Sequence, residues 1–259
     1  MTLSHRQPDP SLGVFETLLV VNGEPVELER HLARLRRSLD ALYGADLPTE
    51  VHEELLAAAD GISLGRLRLT VVPGEDGLRH DLLASGVVPE AVFPERGAEL
   101  RAHSVKGGHG SHKWVDRRGM EHPDAGPGQL LADGPELLEA GWANLFAVFG
   151  ETLRTPAADG RILPGVARAA ILDLAPQLGI ETEEGPLTRA DLLAAEEVFL
   201  TNSIRGVEAA VSLDDSPLAG TGPKSRRLAA ALARSWRLPA HLHAHPAPAT
   251  ASPAGPPAR

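Results

Sequence analysis

The chain of 259 residues contains no cysteine. That excludes disulfides, thiolate metal sites and a cysteine nucleophile, and leaves the compartment undecided. Positive charge is also scarce. Against 35 Asp and Glu stand 25 Lys and Arg, a formal net charge of −10. A surface for nucleic acid or an anionic membrane is therefore not expected, and a phosphate-bearing ligand would need local donors rather than a global positive field. No run of about 18 apolar residues occurs, so no spanning helix is expected. Met1 to Gly13 is polar and proline-bearing and lacks the apolar stretch of a secretory signal. No internal repeat is visible. The default expectation is a soluble cytoplasmic protein acting on a small molecule. What the chain has in quantity is 22 prolines and 26 glycines, which imply many loops.

Leu12 to Val21 reads as a strand, Asn22-Gly23 as a hairpin turn, and Pro25 to Leu28 as the return strand. Leu28, Leu32, Leu35, Leu39 and Leu42 recur at helical spacing, with Gly44 as the stop. A second helix fits Pro48 to Asp60. Leu67, Leu69 and Val71 alternate with Arg66, Arg68 and Thr70, the pattern of a half-buried strand. Asp76-Gly77 marks a turn, and Leu78 to Ser85 with Ala98 to Val105 would complete a first α/β unit. After the glycine-rich stretch Gly107 to Ser111, strands are expected at Gln129–Leu131, Leu137–Leu138, Asn144–Phe149 and Glu197–Asn202. Helices are expected at Gly165–Leu178, closed by Gly179, and at Lys224–Trp236. Thr188 with Asp191 has the spacing of a capping box for a short helix. The expected division is a small N-terminal domain over 1–104, a larger one over 105–238, and a Pro/Ala/His tail over 239–259 with little to bury.

Several residues could carry chemistry. Lys113 lies in His112-Lys113-Trp114-Val115-Asp116-Arg117-Arg118. An ordinary lysine amine is protonated at neutral pH, with a pKa of about 10.4. Burial or a nearby cation lowers that value, and the free amine then forms Schiff bases and shuttles protons. A solvated lysine is the ordinary alternative, and Lys106 is a competitor that periodicity does not separate. Glu136 and Glu139 are both available to hold a protonated ring nitrogen. Leu163-Pro164-Gly165-Val166-Ala167-Arg168 opens a helix whose free N–H groups suit a phosphate. Hydroxyls in Thr201-Asn202-Ser203 bind phosphate or merely cap a turn. Arg30, Arg34, Arg36 and Arg37 line the polar side of one helix, indistinguishable by pattern. Glu16 and Thr17 point to opposite faces of their strand, so only one of them can meet a ligand. His241, His243 and His245 alternate as metal ligands on a strand would, but a Pro/Ala tail makes that spacing fortuitous, and no metal site is expected.

The order and spacing of these segments, from about Leu12 to Trp236, resemble the class-IV aminotransferase family, the pyridoxal-phosphate (PLP) enzymes of fold type IV. The phrase Gly110-Ser111-His112-Lys113-Trp114-Val115-Asp116-Arg117-Arg118 is most similar to the branch acting on 4-amino-4-deoxychorismate. The resemblance implies the two-domain α/β (α+β) fold of the D-amino-acid-aminotransferase type, PLP between the domains, and a homodimer. It implies Lys113 as the catalytic, PLP-bearing lysine. Glu139, five residues before Asn144, takes the place of the acid at the ring nitrogen. Arg34, the backbone of Val166 and Ala167, and Ser203 take the places that hold the phosphate. Thr17 and Arg205 are the substrate candidates. The implied reaction releases pyruvate from 4-amino-4-deoxychorismate to give 4-aminobenzoate, a folate precursor. Transamination of D- or branched-chain amino acids is the alternative, and a PLP-binding protein without turnover is the second. The chain departs from the family at Ala167, where many relatives carry threonine. It also has only Met1 to Leu12 for the family's first strand, and a short connection from Arg118 to Gln129. The last two bear on substrate identity more than on cofactor binding.

Overall fold

The computed structural model describes residues 8–118, 120, 127–239 and 242. The histidine trio and most of the proline-rich tail therefore lie outside the described residues, as does most of the Arg118–Gln129 connection. The N-terminal part forms an antiparallel sheet in the order β2-β1-β3-β4, from β1 (Val14–Val21), β2 (Glu24–Pro25), β3 (Leu64–Gly74) and β4 (Gly77–Gly86). The β1–β2 turn is made by Asn22 and Gly23, at φ 51° and 82°. Both are left-handed, as a tight hairpin twisting with its strands requires. The return strand is only Glu24–Pro25, because the chain then enters α1 (Leu28–Tyr43). Gly44 closes that helix at φ 60°. With α2 (Val51–Ala59), α1 covers one face of the sheet. Val14, Leu18, Val20, Leu67, Leu69 and Val71 meet Leu32, Leu35, Leu39 and Leu55 there. The two-residue period of β1 and β3 leaves Phe15, Thr17, Arg66 and Arg68 on the opposite face.

The rest of the strands form one large sheet: β5 (Ala98–Ser104), β6 (Gly128–Asp133), β7 (Glu136–Ala140), β8 (Ala143–Phe149), β9 (Thr152–Thr155), β10 (Glu181–Glu184), β11 (Leu187–Thr188), β12 (Glu197–Asn202), β13 (Gly206–Leu213) and β14 (Ser216–Pro217). The order is β10-β9-β8-β12-β13-β5-β6-β7-β11, with β14 on β13. Because β7 also pairs with β8, strands β8-β12-β13-β5-β6-β7 close on themselves as a barrel. Leu130, Leu145, Leu200, Ala210 and Leu213 contribute to the core cluster that these strands share. A second cluster packs α3 (Val166–Gln177) and α5 (Pro223–Ser235) with Phe146 and Phe199, whose rings stack at 5.1 Å. Leu19 and Val21 of β1 join this cluster, so shared apolar burial fixes the small sheet to the larger one. The expected capping box is present on α4 (Arg189–Ala194): Thr188 Oγ1 accepts from Asp191 N and Asp191 Oδ2 accepts from Thr188 N.

One strand is reassigned. Ala98–Ser104, grouped by the sequence reading with the first α/β unit, pairs in parallel with β13 on one side and β6 on the other. Parallel partners are distant in the chain, so nothing local reveals them. Strands β9, β10 and β13 were also not anticipated. Among the described residues no helix is long and apolar enough to cross a membrane.

Candidate active site

Two seams bring the site together. Lys113 and its neighbours clip onto β1: Phe15 N donates to Lys113 O at 2.8 Å and Val115 N to Gly13 O at 3.0 Å. Gly13 is required there, because its φ is 85° and a Cβ would lie 2.1 Å from Val71 O. The second seam is a polar stripe on α1. His31, Arg34 and Ser38 lie beside the leucine stripe and are all buried. Ser38 Oγ meets His112 Nδ1 at 3.0 Å.

Arg34, Lys113, Glu139, Val166, Ala167 and Ser203 line one cavity. Thr17 and Arg205 line an outer cleft that shares Lys113 with it. Burial separates the candidates that pattern left equal. Arg34 is 4% exposed, whereas Arg36 and Arg37 are on the surface and the half-exposed Arg30 pairs with Glu27 and Asp173. Glu139 is buried, while Glu136 bonds Arg161 near the surface. Lys106 is exposed.

Arg34 is held by Glu16, with Nε to Oε1 at 2.8 Å and Nη2 to Oε2 at 2.6 Å, and by Pro164 O at 3.1 Å. Glu16 also accepts from His31 Nδ1 at 2.7 Å. Burial would push the Glu16 carboxyl up, but the Arg34 guanidinium and His31 outweigh it and hold it well below the usual range. Burial pushes His31 down, toward the neutral imidazole. The strand face is thereby decided: Glu16 looks at α1, and Thr17 with Phe15 looks into the outer cleft.

Lys113 loses water on entering the cavity, and Arg34 adds a repelling charge. Together these push its amine down to about 7, against Glu16, which opposes them. Burial pushes the Glu139 carboxyl up to about 8, opposed by the Leu163 N–H and by Lys113. Its oxygens accept from Leu163 N at 3.1 and 3.2 Å and from Asn144 Nδ2 at 3.1 Å. Asn144 also donates to Leu163 O at 2.9 Å, so it ties the acid to the entrance of α3. Gly165, the residue before that helix, has no capping side chain, and Val166 and Ala167 follow it into the cavity. Thr201 Oγ1 is buried with no hydrogen-bond partner among the described residues. Arg205 is not free: it pairs with buried Glu208, which also accepts from Trp142 Nε1 at 3.3 Å.

Sequence reasoning overlooked Asn144 as more than a landmark, and His31 and Trp142 as parts of the site; it left Glu16 and Thr17 equal, and Thr201 beside Ser203. The period-2 pattern of β1 put Glu16 on the helix face with Leu18 and Val20, the one signal that was available.

The profile of the class-IV aminotransferase family matches residues 13–96 and 129–213. The chain belongs to that family. Its fold is the two-domain α+β architecture of the fold-type IV PLP enzymes. Among family members it is 26% identical over 216 residues to a D-alanine aminotransferase of Listeria monocytogenes, covering 74% of each chain. It is 25% identical to the aminodeoxychorismate lyase of Bacillus subtilis, again over 74% of each chain. A 40% identity to a mitochondrial branched-chain aminotransferase of Arabidopsis thaliana spans only 21% of that protein. The crystal structure of 4-amino-4-deoxychorismate lyase from Pseudomonas aeruginosa superposes with a TM-score of 0.73 at 29% identity, covering 90% of this chain and 95% of that one. The PLP-bound form of a hypothetical aminotransferase from Mycobacterium tuberculosis gives a TM-score of 0.75 at 20% identity over 91% and 94%.

Proposed function

We propose that the protein is a PLP-dependent lyase that releases pyruvate from 4-amino-4-deoxychorismate and leaves 4-aminobenzoate. The observation that carries this reading is the cavity in which a lysine amine lowered to about 7 and a carboxyl raised to about 8 share the walls with an uncapped helix N-terminus. The residues present fit PLP. Glu139 is a buried acid whose donors are neutral N–H groups, and a protonated ring nitrogen is the cation that would offset its burial. At the other end, Thr201 Oγ1 has no partner among the described residues, and the first N–H groups of α3 suit an anion. Gly165 sits so close that a Cβ would lie 1.9 Å from Asn144 Oδ1. Arg34, the Val166 and Ala167 backbone, Thr201 and Ser203 would hold the phosphate, Glu139 the ring nitrogen, and Lys113 the aldehyde carbon.

Bound there, PLP supplies an electron sink conjugated to the substrate amine. Lys113, whose amine is lowered to about 7 and is therefore substantially neutral near that pH, is the base for the proton on the amine-bearing carbon. Loss of that proton and cleavage of the enolpyruvyl C–O bond make the ring aromatic. The electron pair leaves with the oxygen, and a returned proton completes pyruvate. Arg34, locked by Glu16, keeps its place without reorganisation. The likeness of the lysine segment supports the lyase reading, as does the similarity to the Pseudomonas enzyme. The D-alanine aminotransferase similarity supports transamination as the second reading. Both readings include a homodimer and a cytoplasmic location, which follow from the likeness and from composition alone.

The test has two arms. Purified protein is expected to be yellow, and borohydride should fix the cofactor onto Lys113, with no fixation in Lys113→Ala. Pyruvate release from aminodeoxychorismate is then measured beside amino transfer from D- and branched-chain amino acids to 2-oxoglutarate. Amino transfer without pyruvate release would overturn the lyase reading, and colour without either activity would favour a binding protein.

A further inference from the structure

The turn between β12 and β13 serves both cavities. Asn202 and Ser203 line the inner cavity and the outer cleft, and Ile204 and Arg205 line the cleft. Asn202 Oδ1 accepts from Ile204 N at 2.9 Å and from Arg205 N at 2.8 Å, which ties the turn from within. A second hold comes from the connection between β4 and β5, residues 87–97. Phe93 N donates to Arg205 O at 2.9 Å. The tip of the Phe93 ring abuts Gly206: a Cβ there would lie 2.4 Å from Cζ and 2.6 and 2.8 Å from Cε1 and Cε2. Both residues have positive φ, 51° for Phe93 and 62° for Gly206. Glycine adopts that conformation freely, but a bulky aromatic rarely does. Phe93 is 4% exposed, in the core cluster with Val207 and Trp236, whose ring centroid lies 5.9 Å from its own.

We infer that Phe93 is a positioning residue: its ring and its N–H fix the 202–206 turn and, through it, Ser203. A strained residue persists only where its surroundings over-determine it, and such residues gather at working sites. Burial of the ring and the bond to Arg205 O offset the strain here. Burial in the cluster alone gives no reason for positive φ at a residue other than glycine. The other end of the connection is anchored to the small sheet, where Val87 N donates to Leu64 O at 3.4 Å. Between these anchors Val87, Val88 and Ala91 line the cleft, so one segment both walls the cleft and sets the turn beside it. That Ser203 then meets a phosphate rests on the proposed reading; the hold on the turn does not.

The experiment follows amide hydrogen exchange in the full-length protein as purified, for the parent, Phe93→Leu, Gly206→Ala and Trp236→Phe, beside the rate at which PLP leaves on dilution. A leucine side chain ends short of the ring tip, and an alanine at 206 pushes the ring away. Both variants should therefore speed exchange at Ile204 and Arg205 about tenfold or more. PLP release should quicken about tenfold in both, and the phosphorus NMR resonance of the bound cofactor should move toward that of free PLP. Trp236→Phe loosens the same cluster but leaves the ring tip and the N–H of Phe93 in place. It should lower the melting temperature and leave both rates nearly unchanged. Equal acceleration in Trp236→Phe at a matched loss of melting temperature would reduce Phe93 to a packing residue and overturn the assignment. Unchanged exchange in Phe93→Leu and Gly206→Ala would overturn it too, as would faster exchange with unaltered PLP release. A parent that takes no PLP but shows the expected exchange pattern would retain the hold on the turn and sink the PLP reading instead.

Discussion

Lys113→Met should make the cofactor-free protein more stable at neutral pH. A lysine amine at 10.5 in the unfolded chain falls to about 7 in the cavity, so folding expels a proton at every pH between those values. Below about 7 the full penalty is present in both protonation schemes; it is relieved as pH rises toward 10.5, where the unfolded amine is also neutral. The shift corresponds to an upper bound of roughly 5 kcal/mol, and solvent screening of a side chain that is not wholly enclosed reduces it to ~2 kcal/mol. Methionine keeps all but the last atom of the unbranched side chain and removes the charge. Urea unfolding of the apoprotein from pH 6 to 10 measures the difference. The variant should exceed the parent by ~2 kcal/mol at pH 6.5, and the gap should close as pH climbs. A variant less stable than the parent at pH 6.5, or a gap indifferent to pH, would refute the placement of the amine in a cation-lined, partly dry cavity.

Two further outcomes follow from the same geometry. Glu16→Gln leaves Arg34 buried without its counter-charge, which should cost ~3–5 kcal/mol and lower the apoprotein melting temperature by about 10 °C. Because the Glu16 carboxyl is depressed, its contribution is present above its ordinary value of 4.5 and fades as pH falls through the depressed one, so the difference should shrink in acid; equal melting at pH 7 would refute the pairing. Gly165→Ala would drive a Cβ against Asn144 Oδ1, and the chain must shift at the α3 entrance to relieve it. Cofactor affinity, followed by absorbance titration of the apoprotein, should fall about tenfold or more while the melting temperature of the apoprotein moves little.

Local chemistry was legible wherever neighbours in sequence are also partners in space. Asn22-Gly23 is a turn because two successive residues tolerate positive φ. The leucines of α1 share a face because of the helical period, and Thr188 with Asp191 caps α4 three residues away. The lysine, acid and helix-entrance segments were legible through their resemblance to a family rather than through pattern, since lone charges carry no period. Legibility failed where partners are remote. Ala98–Ser104 has a strand composition but nothing that says its neighbours are β13 and β6. Arg205 looked free to bind substrate until Glu208, one turn away on the next strand, was seen to hold it.

The sequence by itself determined the helices and most of the strands, though not β9, β10 and β13, and which residue types are at hand for an anion and a buried acid. Pattern left several identical side chains equal, and the tertiary structure separates them by burial. Arg34 differs from Arg36 and Arg37, and Glu139 from Glu136, in burial alone. Burial is a property of the packed chain. It is also what moves an amine to about 7 and a carboxyl to about 8, because charge is expensive where water has been removed.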